Sequence, residues 1–378
     1  MNFDDIRPYI EPEIPAAMER IAHSGAFPML ASYVFPDEPL EDVRRRIASH
    51  RTTAEFQRQT MHCVNDRIIA NSITDFSCSG LERLHPAQPY LFISNHRDIM
   101  LDASLLQNAL VDAGFDTTEI TFGANLMMSP VVIDIGRANK MFRVERPGAG
   151  VREFYRCSRR LSDYIRHTIT EKRQSVWIAQ RNGRTKNGWD ATDQGLVKML
   201  CLSQSDDKVA AMAGLHVVPI AISYEWEPCD VLKTLELYQS RFAPYVKKPG
   251  EDLNSILTGI MQQKGQVHIE VCEPLTYEEL AALEPLTANA FHQAVGRLID
   301  SRITRGYRLC PTNYIAHDLR YGSTRHRHLY TDAQRTDFLD RLRQLDRYDT
   351  CDVDQLKEIF TTIYANPVDR KAGKPGGN

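Results

Sequence analysis

From Ser72 onward the chain alternates short apolar runs with longer stretches of helical period, and this alternation restricts its fold more than any single motif. The strand candidates are Tyr90–Ile93, Ile120–Gly123, Ser175–Ala179, Val217–Ile222 and Val267–Val271, all rich in β-branched or aromatic residues. Between and after them run amphipathic stripes. The clearest spans about Gly150 to Lys172, with Phe154, Leu161, Ile165 and Ile169 on one side. Leu253, Ile256, Leu257 and Ile260 form a second stripe, and Phe291, Val295, Leu298 and Ile299 a third. An apolar strand is buried on both faces only if helices cover it, so the pattern predicts an α/β layered domain: a sheet flanked by helices, with its working loops at the carboxyl ends of the strands.

The flanks are helical in period. Residues 1–71 carry Leu40, Val43 and Ile47 on one face and Met61, Val64 and Ile68 on another, whereas Pro8, Pro12, Pro15 and Pro28 keep the first part in short pieces. After the α/β domain, placed at 72–320, Phe338, Leu342, Leu345, Leu356, Ile359 and Phe360 predict a helical tail over 321–365. Residues 366–378, ending Lys374-Pro375-Gly376-Gly377-Asn378, are expected to be disordered.

Composition narrows the function classes. The 378 residues, 42% of them hydrophobic, suffice for a large core. Lys and Arg number 46 against 49 Asp and Glu, a net charge of −3 that argues against a protein built around nucleic acid. The 8 cysteines are scattered without a C-x-x-C pair, which points to reduced thiols rather than a disulfide framework or zinc knuckle. Met1-Asn2-Phe3-Asp4-Asp5-Ile6 lacks the basic and apolar regions of a secretory signal, and no apolar window is long enough to span a bilayer. The expectation is a soluble protein, or one resting on a membrane surface.

Four blocks carry chemistry. Ser94-Asn95-His96-Arg97-Asp98-Ile99-Met100-Leu101-Asp102 puts a histidine at a strand exit with two carboxylates following. A histidine serves as general base when its second ring nitrogen is fixed by an acceptor, and either Asp102 or Asp98 is suitably near. The bland alternative is a helix start with Asn95 as its cap and both aspartates solvated. Gly136-Arg137 through Met141-Phe142-Arg143-Val144-Glu145-Arg146 ends a short apolar segment in cations suited to a phosphate or carboxylate, or to surface ion pairs. The strand Ser175–Ala179 runs into Gln180-Arg181-Asn182-Gly183-Arg184-Thr185-Lys186-Asn187-Gly188, which sets backbone donors and cations around a glycine turn, the grip a phosphate needs. In Val217-Val218-Pro219-Ile220, a proline inside an apolar strand marks an edge, a bulge or a wall against a ligand. Outside the blocks, the arginines from Arg152 to Arg173 fit a solvated face, anionic headgroups or an acidic carrier protein. Arg325-His326-Arg327-His328 lacks a third ligand, so no metal is assigned.

In order and spacing these blocks resemble the lysophosphatidate and glycerol-3-phosphate acyltransferase superfamily, in particular soluble-looking bacterial members. That family's signature is Asn-His, four residues and Asp; then Phe-Ile-Asp-Arg; then Glu-Gly-Thr-Arg; then an apolar Val-Pro strand. Here the blocks fall at His96 to Asp102, Phe142 to Arg146, Asn182 to Arg184 and Val218 to Pro219, and Asn313-Tyr314-Ile315-Ala316 is similar to a later family segment. The chain departs from the pattern twice. Five residues separate His96 from Asp102, and Asn182 stands where the family has glutamate. The resemblance implies an O-acyltransferase of phospholipid biosynthesis that moves a fatty acyl group from acyl-CoA or acyl carrier protein to a hydroxyl of a lysophospholipid or glycerol phosphate, with 1-acylglycerol 3-phosphate favoured. His96 would be the base and Asp102 its orienting partner. Arg146 and Arg184 would hold the acceptor's anionic group, aided by Asn182, Gly183 allowing the backbone to approach, and Pro219 walling the acyl chain. No metal or cofactor beyond the acyl donor is implied. The expected place is the cytoplasm, with peripheral contact at an anionic inner membrane face. Other outcomes compatible with the blocks are transfer to a lyso-aminolipid and a catalytically degenerate protein that binds lipid or acyl carrier.

Overall fold

The computed structural model describes residues 2–127, 129–145 and 150–374. Seven strands form one sheet: β1 (Ile73–Ser79), β2 (Leu91–Ser94), β3 (Glu119–Gly123), β4 (Met141–Val144), β5 (Val176–Ala179), β6 (Val217–Tyr224) and β7 (Gly265–Val271). Their order is β1-β7-β6-β2-β5-β3-β4. All neighbours are parallel except β6 and β7, which run antiparallel. The five strands expected from the sequence are present. The two that were not anticipated, β1 and β4, are the edges; half-polar edge strands give neither an unbroken apolar run nor a strong alternation.

Strand alternation divides the core. Leu91, Ile93, Val176, Ile178 and Val217 face one helical layer, packing on Tyr164, Ile165, Ile169, Val197, Leu200, Phe291, Val295 and Ile299. Phe92, Trp177, Val218, Ile220, Val267 and Ile269 face the other, packing on Leu101, Leu105, Leu106 and Leu110. Before the sheet come helices α1 (Ile14–Ala22), α2 (Phe27–Val34), α3 (Leu40–Ser49), α4 (Thr53–Phe56) and α5 (His62–Ser72), the last two joined by a π-helical stretch at Gln57–Met61. Ile14, Met18, Ile21, Val43, Ile47 and Phe56 form a separate small core for this segment. Within the domain lie α6 (Leu101–Asp112), α7 (Pro130–Ala138), α8 (Val151–Thr170), α9 (Gln194–Cys201), α10 (Lys208–Ala213), α11 (Asp230–Ser240), α12 (Glu251–Met261), α13 (Tyr277–Ala281) and α14 (Ala288–Gly306).

The C-terminal part differs from expectation. It comprises α15 (Pro311–Tyr321), α16 (Asp332–Arg343) and α17 (Val353–Lys371). Residues 366–371, expected to be disordered, instead complete α17, because Asn366, Val368 and Asp369 are buried and Asp369 accepts a 2.8 Å bond from the Tyr321 hydroxyl. Residues 375–378 lie outside the described part. This helix also reaches the sheet's working end. Asn366 Nδ2 donates to the Asn187 carbonyl at 2.7 Å, and Gly188, at φ +75°, lies so close to α17 that a Cβ there would come within 1.9 Å of the Ile363 carbonyl oxygen. Gly188→Ala therefore combines left-handed strain with a backbone collision, and should lower stability by at least about 2 kcal/mol, read as a fall in the urea midpoint.

Pro219 does not mark an edge. β6 lies between β2 and β7, and Pro219 pairs with Ile93 of β2. Its carbonyl accepts from Cys272 N–H at 3.0 Å, so its nitrogen points to the same side, where pairing with β7 starts only at Ile220. The missing donor thus falls just beyond the ladder, which is why a central strand tolerates it.

Candidate active site

The adjacent strands β2 and β5 end side by side, and the loops leaving their carboxyl ends are stitched together. Gln180 N–H donates to the Ser94 carbonyl at 2.8 Å, and Thr185 N–H to the His96 carbonyl at 2.7 Å. Asn95 does not cap a helix. Its side-chain oxygen accepts from Ile222 N–H at 2.8 Å while its amide donates to the Ile222 carbonyl and to Asp190, extending the β2–β6 contact past the end of β2.

His96 Nδ1 lies 2.9 Å from Asp102 Oδ2. Asp102, in the first turn of α6, is fully buried and saturated with donors: Arg97 N–H at 2.6 Å and Asp98 N–H at 2.9 Å on the same oxygen, and the Tyr224 hydroxyl at 2.8 Å on the other. Burial first, then the Asp102 carboxylate, pushes the Tyr224 phenol well above its usual range, so it serves as a neutral donor. An acceptor-only carboxylate fixes the proton on Nδ1 and leaves Nε2 with a free lone pair. Asp98 has different work. Its Oδ1 accepts from Met100 N–H and Leu101 N–H at 2.9 Å each, starting α6, and its Oδ2 tucks against Gly259 of α12. The fifth intervening residue is thus absorbed in the turn that lets Asp98 cap the helix while Asp102 reaches back to the imidazole.

His96 lines a cavity of about 620 Å³ with Asn182, Gly183 and Arg184, and its ring stands edge-on to Trp177 at 5.8 Å. Phe122, Leu126, Phe154, Leu161 and Ile178 give the cavity apolar walls. Three of its cations are neutralised, in the pairs Arg143–Glu145, Arg160–Asp5 and Lys247–Asp252. Arg181 and Arg184 have no carboxylate partner among the described residues, and Arg184 Nη1 is buried without a hydrogen bond. Gly183, at φ +74°, has open space where a Cβ would project. Such an assembly combines a histidine whose Nδ1 is held by a carboxylate, an apolar trough and a guanidinium with no carboxylate partner among the described residues, the parts needed to deprotonate a group on a molecule that is apolar at one end and anionic at another.

The family model described as Acyltransferase matches residues 75–223, a span that runs from within β1 almost to the end of β6 and contains His96, Asp102, Asn182, Gly183 and Arg184. This stretch matches an acyltransferase domain. The chain is similar in structure to the 1-acyl-sn-glycerophosphate (LPA) acyltransferase PlsC from Thermotoga maritima, at 11% identity and a TM-score of 0.36, covering 79% of this chain and 97% of that one. No curated protein matches the chain.

Of the residues singled out from the sequence, the structure brings together His96, Asp102, Asn182, Gly183 and Arg184. Arg146 lies outside the described residues. Pro219 belongs to the sheet and does not line the cavity, so it is no wall against a ligand there. His326 meets His317 and Asp318 in the C-terminal part, but the Asp318 carboxylate is taken by Ser323, Tyr330 and the His326 backbone. What the sequence did not disclose is the charge cluster beneath the histidine loop. Arg97, fully buried, donates to Asp190 at 2.7 Å, to Glu227 at 2.9 Å and to the Gly188 carbonyl at 3.3 Å, and lies 5.2 Å from the centre of the Tyr307 ring. Lys233 Nζ donates to Glu227 at 2.5 Å and to the Arg97 carbonyl at 2.7 Å. Two cations and two carboxylates balance. Only the position of Arg97, next to His96, could have signalled this cluster.

Proposed function

We propose that the protein transfers a fatty acyl group from a thioester, acyl-CoA or acyl carrier protein, to a hydroxyl of a phosphate-bearing lysolipid or glycerol phosphate, with 1-acylglycerol 3-phosphate as the favoured acceptor and phospholipid synthesis as its setting. The observation that supports this reading is that Arg184, which has no carboxylate partner among the described residues and a buried Nη1 without a hydrogen bond, lines the same cavity as His96. As the acceptor oxygen attacks the thioester carbonyl, Nε2 takes the hydroxyl proton; the tetrahedral centre then collapses, the C–S bond breaks, and the imidazolium returns the proton to the departing thiolate. Asp102 stabilises the imidazolium while it exists. The acyl group passes directly to the acceptor, and no covalent bond to the enzyme is required. Arg184, with Asn182 and Gly183, would hold the phosphate, and Arg146 is a candidate to share that task.

No described helix is long and apolar enough to cross a membrane. We place the reaction in the cytoplasm, at the inner face of the membrane, where the protein acts as a peripheral enzyme. Purified protein supplied with an acyl thioester and lysophosphatidate should release free thiol in proportion to diacylated product. Thiol release that needs no acceptor, or none with glycerol 3-phosphate, lysophosphatidate or a lyso-aminolipid, would sink the proposal and leave a lipid or acyl-carrier binding role. Arg184→Ala should raise the KM for a phosphate-bearing acceptor by about 10- to 100-fold with a smaller change in kcat, because one charge-assisted contact to the bound group is lost.

A further inference from the structure

We propose that the mouth of the His96 cavity is itself a membrane-docking face, two exposed apolar walls seating on an anionic phospholipid bilayer so that the acceptor passes into the cavity without crossing water. This rests on the lipid-acceptor reading above. One wall is the start of α8. Val151 (86% exposed), Phe154 (59%) and Tyr155 (55%) project from its first turns, while farther along the same helix Leu161 lines the cavity and Ile165 and Ile169 are core. Phe154 does both, standing in solvent and lining the cavity.

The second wall is the segment between α11 and α12. Phe242 (69% exposed) and Val246 (80%) lead into the stripe Leu253, Leu257 and Met261, whose spacing of four residues aligns them on one side of α12. The opposite side of that helix carries buried Ser255 and Gly259, the latter against Asp98 of the histidine loop. The sequence stripe Leu253-Ile256-Leu257-Ile260 is therefore split, with Ile260 packed inward and Leu253 and Leu257 turned out. Asp252 lines the cavity from the same side of α12 as Ser255 and Gly259, so the exposed Leu253, Leu257 and Met261 stripe turns away from the opening, and the apolar groups beside the opening are Phe242 and Val246, next to Lys247, which lines the same cavity as Phe154. Large apolar side chains left in water on two sides of one opening mark an interaction surface.

Charge selects the occupant. Arg152 and Arg156, on the exposed part of α8, have no ion-pair partner among the described residues, and the cavity between the walls holds Arg181 and Arg184. Glu153 is the acidic residue among the exposed first turns of α8, and Lys247 is matched by Asp252. Apolar insertion beside unpaired arginines suits a bilayer carrying negative headgroups.

The test is co-sedimentation of the full chain with vesicles of phosphatidylglycerol and phosphatidylcholine, compared with pure phosphatidylcholine, alongside thiol release with a short-chain lysophosphatidate that stays monomeric. Val151→Glu with Tyr155→Glu, and separately Val246→Glu, should weaken partition onto the anionic vesicles by about tenfold or more. Turnover of the monomeric acceptor should stay within about twofold, which also reports that the variants fold. Wild-type protein that ignores anionic vesicles, or variants that sediment as wild type does, would overturn the docking face. So would a dimer in solution that dissociates on the same substitutions, because a second copy would then be the occupant. Sedimentation reads the surface and thiol release reads the chemistry, so either can fail alone.

Discussion

Replacing His96 with alanine should cut kcat for acyl transfer by about 10²- to 10⁴-fold, the usual contribution of a positioned general base, while leaving the KM values for donor and acceptor within a few fold. The fold should survive, because His96 makes one side-chain hydrogen bond, to Asp102, and Asp102 keeps three other donors without it. Asp102→Asn should be more damaging to structure. The Oδ2 that faces His96 also accepts two backbone N–H groups, and an amide nitrogen turned to that side would meet three donors with a fourth. The thiol-release rate and the thermal midpoint of each variant separate the outcomes: lost rate at unchanged midpoint for His96→Ala, and a fall in both for Asp102→Asn. A His96→Ala enzyme that keeps its rate would remove the imidazole from the chemistry.

The second large effect concerns Arg97. Arg97→Met should destabilise the protein by about 3–5 kcal/mol, because it leaves Asp190 and part of Glu227 as buried charges without their partner. The pH dependence gives a signature. Burial alone would raise the Asp190 carboxyl, but the Arg97 guanidinium and its hydrogen bonds, with that from Asn95, outweigh burial and hold it below the ordinary carboxylate range. A carboxylate with its folded pKa lowered contributes stability that is present above the unfolded value of about 4 and is lost as the pH falls through the folded one. In Arg97→Met burial loses its main opposition, with the hydrogen bond from Asn95 left, so the Asp190 carboxyl moves up and acidification relieves the variant while it weakens the wild type. Urea unfolding from pH 7 down to about 3 should show the stability gap closing. A gap that stays constant would mean that Asp190 does not carry the effect. A joint Arg97→Met and Asp190→Asn replacement should cost less than the sum of the two.

The fold was legible where burial is symmetrical. Strands covered on both sides, such as Leu91–Ser94 and Val217–Tyr224, announce themselves as apolar runs, whereas the edge strand Ile73–Ser79 reads like any half-polar stretch. Side-chain roles followed another rule. His96, Asp102 and Arg184 stood out because chemistry restricts which residue types can do such work. The partner of the histidine stayed open between two carboxylates, and only the fold shows that Asp98 is spent on starting α6. Arg97 lies 93 residues from Asp190, 130 from Glu227 and 136 from Lys233, all of which it touches, and nothing in a linear chain marks groups that meet over such separations. Pro219 was misleading for a related reason. Whether a strand proline sits on an edge depends on the length of its neighbour, here the late onset of pairing at Ile220, which belongs to another part of the chain.

The grip of α17 on the loop after β5 has a bearing on how the protein is made. Asn187 and Gly188 take their shape against Asn366 and Ile363, residues that leave the ribosome long after His96 and Arg184. A nascent chain therefore carries His96 and Arg184 for much of translation without the helix against which the loop after Arg184 takes its shape. On the proposed mechanism, a proteolytic nick that frees α17 should slow acyl transfer.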